Sequence, residues 1–550
     1  MRQLTALDAQ FLNVETPTTA AHVAGLAILD PADGAVTRSS LAELLLDRIH
    51  LSPALSLRLA EVPLGLDHPY WAADPGFDID NHLFEMTLPE PGDRWQLADA
   101  VARIHARRLD RAHPLWEMHL INGLGDGKVA VYTKVHHAAI DGVSGAETLA
   151  TLLDLTPDGH LTPGSRHTTA RNGGEAKASG DARPTAVGTV ACQSGSGQAH
   201  RAARPHGPAP VHGGNPDLSR DIASPHAPDD APSLIGMLAG AAFRTATHPA
   251  RAVRSVVRAA GDLDAIPVVG ALPGAKLVAK AARMVTRDQH HRPELPGLVV
   301  PRTPLNGPIS ARRRLSFGSL SLKDVKNVAK ANGMSVNDVV MTLCTSALRS
   351  WLRERDALPE EPLVVAVPVA VRSTTARDLV GNQISAMVAP MPTNLPDPRE
   401  RLQAVVTAMG TAKRRFALAP ATWLSELCSI LPAPLTSLAT PAIFRLAGMA
   451  CPPINLIVSN VPGPQFPLYL CGGRVLSYYP LSVLTDMSGG LNITCFSYDG
   501  MLDFGIVACP ERVDDVWGLL EHLRTALDEL LDERVGDEFR DGVGVDLVAR

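Results

Sequence analysis

The stretch Lys134-Val135-His136-His137-Ala138-Ala139-Ile140-Asp141-Gly142-Val143-Ser144-Gly145 decides how the rest of the chain is read. Upstream of it Val129, Val131, Thr133 and Val135 alternate with their neighbours, which predicts a strand over 128–137. On that strand His137 continues the valine face and His136 takes the other. Asp141-Gly142 then turns the chain, and 142–153 has helical spacing. The two histidines therefore stand where a strand gives way to a helix whose first amides lack partners. Functional sites of α/β proteins favour such places. The pattern HHxxxDG should arise by chance on the order of four times in a thousand chains of this composition. His290-His291 is a pair too, but Pro293-Glu294 follows it and no Asp-Gly does.

An imidazole with an unperturbed pKa of about 6.5 is a general base at working pH. It can take a proton from an alcohol, amine or thiol, for a gain of roughly 10²–10⁴ in rate. The Asp141 carboxylate can fix a tautomer or brace the loop. Other chemistries lack their motifs. No GxSxG occurs, so a hydrolase elbow is absent. No GxGxxG or GxxxxGK[ST] supplies a phosphate cradle. HExxH is missing, and adjacent histidines on opposite strand faces cannot share one zinc.

Outward from this centre the chain reads as two α/β units. The first spans 1–155, with helices over 4–12, 39–49 and 95–108 and strands over 21–29, 117–122 and 128–137. The second spans 301–534. Its helix over 322–331 stops at Asn332-Gly333, a C-cap pair. Ser335 then caps the next helix, with Asp338 three residues on in capping-box spacing. Strands follow over 363–371, 384–389, 454–459, 491–498 and 502–508, and Asp499-Gly500 marks a hairpin. A last amphipathic helix carries Leu519, Leu523 and Leu527, and 535–550 is a tail. Between the units, 156–232 is rich in Gly, Pro, Ser, Ala and His and has no aromatic residue from 157 to 231, so it reads as a disordered linker. The segment 233–300 is apolar and basic; it reads as bridging helices, or as an interfacial segment on anionic lipid.

Composition narrows the classes further. The chain has 550 residues, 45% of them hydrophobic, enough for a large core. Aromatic residues are 4% and net charge is −6, which argues against nucleic acid as a partner. Seven cysteines without a CxxC do not make a disulfide framework, and a reduced, cytoplasmic setting is expected. The N-terminus carries Asp8 and Glu15 where a signal peptide needs an apolar run. The most apolar run, 363–371, is interrupted by Pro368 and is shorter than a membrane span, so membrane contact is expected to be peripheral.

HHxxxDG in a two-lobed chain resembles the CoA-dependent acyltransferase superfamily. Further motifs narrow the resemblance: LTALDAQFLNVE at the start, HPLWEMHLI from His113, PLNGPISARRR from Pro304, SVNDVV from Ser335, PVAVR from Pro368, GNQIS from Gly381 and NLIVSNVPGP from Asn455. Together they resemble the bacterial wax ester synthase/acyl-CoA:diacylglycerol acyltransferase family over 1–155 and 300–534. The resemblance implies two chloramphenicol-acetyltransferase-like lobes with a channel between them. It implies an enzyme that moves a fatty acyl group from acyl-CoA to diacylglycerol or a long-chain alcohol, without cofactor or metal, at the inner membrane face or on lipid inclusions. His137 is then the base and His136 supports the loop. Asp141 is structural, paired with an arginine such as Arg372, and Gly142 allows the turn. Asn337 faces the cleft and can donate to an oxyanion. Asp338 reads as a helix cap, Trp116 as a buried aromatic near the site, and 460–464 as a rigid turn between the lobes with Gly463 for backbone freedom. Two other readings share the scaffold: an amide-forming condensation enzyme, and a catalytically silent lipid-binding protein. The run Arg312-Arg313-Arg314 is a candidate CoA contact, with a solvated charged face as the plainer account.

Overall fold

Two six-stranded sheets carry the chain. The computed structural model describes residues 2–31, 36–140, 151–159, 237, 298–370, 384–418, 432–450 and 452–542. All fall within a unit made of residues 1–161 and 230–550. Asp141, Gly142 and Arg372 lie outside the described residues, as do nearly all of the expected linker and most of the basic segment.

The first half runs β1 (Arg2–Gln3), α1 (Ala6–Asn13), β2 (His22–Asp30), α2 (Arg38–Arg48), α3 (Pro53–Ser56), β3 (Leu57–Ala60), β4 (Tyr70–Ala73), β5 (Leu83–Thr87), α4 (Arg94–His105), β6 (Trp116–Asn122) and β7 (Val129–His136). The second half runs β8 (Arg314–Ser321), α5 (Leu322–Ala331), α6 (Val336–Arg353), β9 (Leu363–Ala370), β10 (Ile384–Met391), α7 (Pro398–Leu418) and α8 (Ala433–Ala450). It continues with β11 (Leu456–Pro462), β12 (Tyr469–Leu470), β13 (Gly473–Leu481), β14 (Leu491–Tyr498), β15 (Met501–Ala508) and α9 (Val516–Gly542).

Local chemistry explains several boundaries. Thr5 opens α1 with a capping box completed by Asp8. Ser335 opens α6 the same way, with Asp338 returning the bond. At the β14–β15 turn Asp499 and Gly500 both have positive φ, +41° and +83°, as a two-residue hairpin loop requires. Helices α6 and α9 cover one sheet, where Leu343, Leu348 and Trp351 meet Ile493, Phe504, Leu519 and Leu523 in a buried core. Each such side chain gains roughly 1.5–3 kcal/mol from burial.

The sheets are mixed. One has the order β12-β13-β2-β7-β6-β5 and the other β10-β9-β11-β14-β15-β8. The first corrects the expected partition at residue 155: Gly473–Leu481, from the second half, pairs antiparallel with β2 and extends the sheet that carries the histidines. A second correction concerns 460–464. Asn460, Val461 and Pro462 are not a turn; they continue β11 and pair in parallel with Cys495, Phe496 and Ser497. Gly463 serves close packing there: an added Cβ would lie 2.3 Å from the Phe496 ring and 2.4 Å from the Ser497 carbonyl oxygen.

Candidate active site

The histidine strand ends at His136, so His137 sits one residue past it, in a turn closed by the Ala139 N–H donating to the His136 carbonyl at 2.9 Å. The expected strand continuation to His137 is thus cut short. The His137 N–H still reaches back across the sheet edge to the Ala21 carbonyl, 2.8 Å away. Its half-buried ring lies flat on Phe11 of α1, with centroids 4.0 Å apart and planes 3° off parallel. The following turn residues Ala138 and Ala139 pack with α1 in a small cluster that includes Leu4, Leu12 and Leu115.

His136 has a different environment. Its side chain is 1% exposed. The Ala138 N–H donates to its Nδ1 at 3.0 Å, so that nitrogen presents a lone pair and leaves Nε2 as the ring's N–H. Nε2 lies 3.4 Å from Oε1 of Glu15. The same oxygen accepts the Ala21 N–H at 3.0 Å, and Oε2 accepts from Arg111 at 2.9 Å. Burial alone would raise the Glu15 carboxyl. The contact with His136, the Ala21 amide and Arg111 outweigh burial and bring it from 4.5 down to about 2. Glu15 is thus a fixed anion that binds the strand opposite the histidines, the loop holding Arg111 and the ring of His136. In the sequence Glu15 stood out only as a charge near the N-terminus and as the end of LTALDAQFLNVE, and no role at the site followed from either.

Beneath this pair lies a polar layer. His22 stands directly opposite His136 across the β2–β7 pair and is fully buried, with its ring edge-on to His105 at 4.6 Å. Burial pushes His105 down to about 3 and His22 well below its ordinary 6.5, so both are neutral at working pH. His105 Nδ1 lies 2.8 Å from the Tyr132 hydroxyl. The buried Lys134 ammonium is held by Glu117 at 3.0 Å and by the Arg107 carbonyl at 3.0 Å.

The structure brings two distant motifs together. Asn460 Nδ2 donates to Asn337 Oδ1 at 3.3 Å, which joins the Asn-Asp pair at the start of α6 to the Asn-Val-Pro strand β11. Asp338 turns the other way. Its Oδ2 accepts the Ser335 N–H at 3.1 Å and the Ser335 hydroxyl at 2.6 Å.

The chain matches the description "Wax ester synthase/diacylglycerol acyltransferase catalytic domain" over residues 4–340 and "WS/DGAT C-terminal domain" over 380–531. It belongs to the wax ester synthase/diacylglycerol acyltransferase family. One relative, a Mycobacterium tuberculosis H37Rv protein named as a diacylglycerol O-acyltransferase, is 32% identical over 97% of this chain and 90% of its own length. The similarly named tgs2 of that strain is 31% identical over 95% of this chain and 97% of its own. Among solved structures, the wax ester synthase/diacylglycerol acyltransferase from Marinobacter aquaeolei VT8 superposes with a TM-score of 0.59 at 25% identity, covering 96% of this chain and 98% of that one.

In this acyltransferase Trp116 is buried at the start of β6. Its indole N–H donates to the Leu55 carbonyl at 2.9 Å, and its ring stacks on His82 at 4.4 Å. The arginine run is spent within the protein. Arg312 pairs with Glu511, Arg314 donates to the Asp514 carbonyl, and Arg313 reaches the Thr18 carbonyl at 2.7 Å. Arg313 therefore ties the second sheet to the loop after Glu15. Among the described residues, no group of three or more His, Cys, Asp or Glu side chains is placed to hold a metal.

Proposed function

We propose that this acyltransferase moves a fatty acyl group from acyl-CoA to diacylglycerol or a long-chain alcohol, with His137 as the general base. One observation carries this reading: within HHxxxDG, His136 is buried and tied to Glu15, while His137 is half exposed and braced by Phe11. That contrast supports a structural task for the first ring and the catalytic one for the second. His137 takes the hydroxyl proton as the acceptor oxygen attacks the thioester carbonyl. The tetrahedral intermediate collapses, the C–S bond breaks, and the CoA thiolate recovers the proton through the imidazole. The thioester is already activated, so the reaction as written needs neither an acyl-enzyme nor a metal. Asn460 holds the carbonyl end of Asn337, which leaves the Asn337 amide group to donate to the oxyanion.

The proposal extends to a lipid surface. No helix among the described residues is long and apolar enough to cross a membrane. Helix α8 nonetheless exposes Leu435, Leu438, Ile443, Leu446 and Met449, with Leu438 77% exposed. An apolar helix face of that kind suits peripheral seating on a membrane or lipid inclusion. Helix α8 also docks on α1, through Thr440 to Gln10 at 2.7 Å and Asn13 to Thr436 at 3.2 Å. The lipid-facing element and the helix behind His137 are therefore one assembly.

The test is thiol release from palmitoyl-CoA with diacylglycerol, hexadecanol, an amine or water alone. Release that depends on diacylglycerol or alcohol supports the reading. Release with the amine only would mean a condensation-type enzyme, release with water alone a hydrolase, and no release a silent scaffold.

A further inference from the structure

Helix α4 and the loop after it place Arg103, Arg107, Arg108 and Arg111 within nine residues of a chain whose net charge is −6. Two cavities meet at this point. One of about 700 Å³ lies between the end of α4 and the β5–β6 edge, and one of about 490 Å³ lies beside Glu15 and Arg111. Arg107 and Arg108 line both. The smaller cavity reaches the carboxylate beside His136, and both cavities open to solvent.

Four carboxylates, Glu15, Glu85, Asp110 and Glu117, line the two cavities beside the four arginines, but each bonds a group other than Arg107 or Arg108. Arg111 is taken by Glu15, and Arg103 makes an exposed contact of 3.5 Å with Asp99. Among the described residues no ion pair is formed by Arg107 or Arg108, and both are exposed. Asp110 accepts the Ala112 N–H at 2.9 Å. Glu117 is held by Lys134 and His119, each at 3.0 Å, and Glu85 accepts from Asn122 at 2.8 Å. A favourable interaction with the C-terminal end of α4 accounts for Arg103. It does not account for two further guanidinium groups beyond that end, facing a cavity. The far wall is aromatic: Phe84, 38% exposed, stacks on His119 with centroids 4.9 Å apart.

We propose that Arg107 and Arg108 bind the phosphate groups of the CoA nucleotide, with the adenine against Phe84 and the thioester arm directed past Glu15 toward the histidines. Guanidinium forks suit phosphate oxygens, and charge-assisted pairs of this kind are the strong ones. The proposal rests on acyl-CoA being the donor. The same chemistry would fit the phosphate of an anionic lipid headgroup, so the test separates the two sources.

The double variant R107Q/R108Q is compared with the wild type on palmitoyl-CoA and on S-palmitoyl-pantetheine, which keeps the thioester but has no phosphate. The preference for palmitoyl-CoA over the pantetheine thioester, as a ratio of kcat/KM, should fall about tenfold or more. R107K/R108K, which keeps charge but loses the fork, should fall between. An unchanged ratio would overturn the proposal, whether both rates fall together or neither moves. In a second arm, sedimentation with phosphatidylglycerol vesicles, loss of vesicle binding in R107Q/R108Q with an unchanged ratio would assign the arginines to lipid and overturn it as well. Titration of CoA itself by calorimetry distinguishes failure of the groove from failure of the reaction. Weaker CoA binding by the variant supports the groove even if the wild type transfers no acyl group, and equal binding refutes it.

Discussion

The Glu15 carboxylate stands 3.4 Å from His136 Nε2 and 2.9 Å from Arg111, and its side chain is only 2% exposed. One anion therefore fixes the ring next to the proposed base without being that base. Glu15→Gln keeps a carbonyl acceptor but removes the charge. The expected result is a tenfold or greater fall in kcat with little change in KM, and a stability loss of about 1–3 kcal/mol. Steady-state kinetics beside urea unfolding measures both. A purely structural Glu15 would give the stability loss without the kcat effect.

The same residue sets a pH limit on the fold. Its folded pKa of about 2 lies below the ordinary 4.5, so it contributes stability above pH 4.5 that is lost as pH falls from 4.5 toward 2. The contribution is about 3 kcal/mol at roughly 1.4 kcal/mol per pKa unit. Asp503 has the opposite sign. Burial raises it from 3.8 to about 6 against the Ser319 hydroxyl and the Tyr478 amide. Its contribution is present below pH 3.8 and lost as pH rises to 6. Glu15→Gln should thus flatten the acid limb of the stability profile. Asp503→Asn should remove the decline between pH 4 and 6 and leave the acid limb in place. Denaturant unfolding across pH 3–8 reads both changes.

Phe11 covers one face of His137. Phe11→Leu keeps apolar volume but loses the parallel ring, whose contribution is about 0.5–1.5 kcal/mol. A roughly three- to tenfold fall in kcat is expected, with an unfolding midpoint close to wild type. An unchanged kcat would show that the stack does not orient the base.

Helix α8 tests the lipid surface. Leu438 and Leu446 are 77% and 67% exposed. Leu438→Asp with Leu446→Asp should weaken sedimentation with diacylglycerol-containing vesicles and lower the rate on vesicle-borne acceptor. The rate on an acceptor dispersed in detergent should change far less. Equal loss in both settings would count against the lipid-facing role.

Local features of the fold were open to sequence reasoning because they rest on near neighbours. The Ser335–Asp338 box, the Asp499-Gly500 hairpin and the strand before the histidines are each set by residues a few positions apart. Sheet membership is not local. Gly473–Leu481 alternates like any strand, and nothing in its pattern says that it pairs with β2 rather than with its own half. Asn460-Val461-Pro462-Gly463-Pro464 has the composition of a turn, yet parallel pairing with β14 keeps Asn460 to Pro462 extended. The site divides along the same line. HHxxxDG is contiguous and marked itself. Glu15 and Phe11 meet the histidines only after the chain has folded back, so their spacing carried no signal.

The most direct test is thiol release from palmitoyl-CoA and diacylglycerol by His137→Ala, with circular dichroism on the same preparation. A natively folded variant whose turnover falls by roughly 10²–10⁴ is the predicted result. A folded His137→Ala protein that turns over like the wild type would contradict the account.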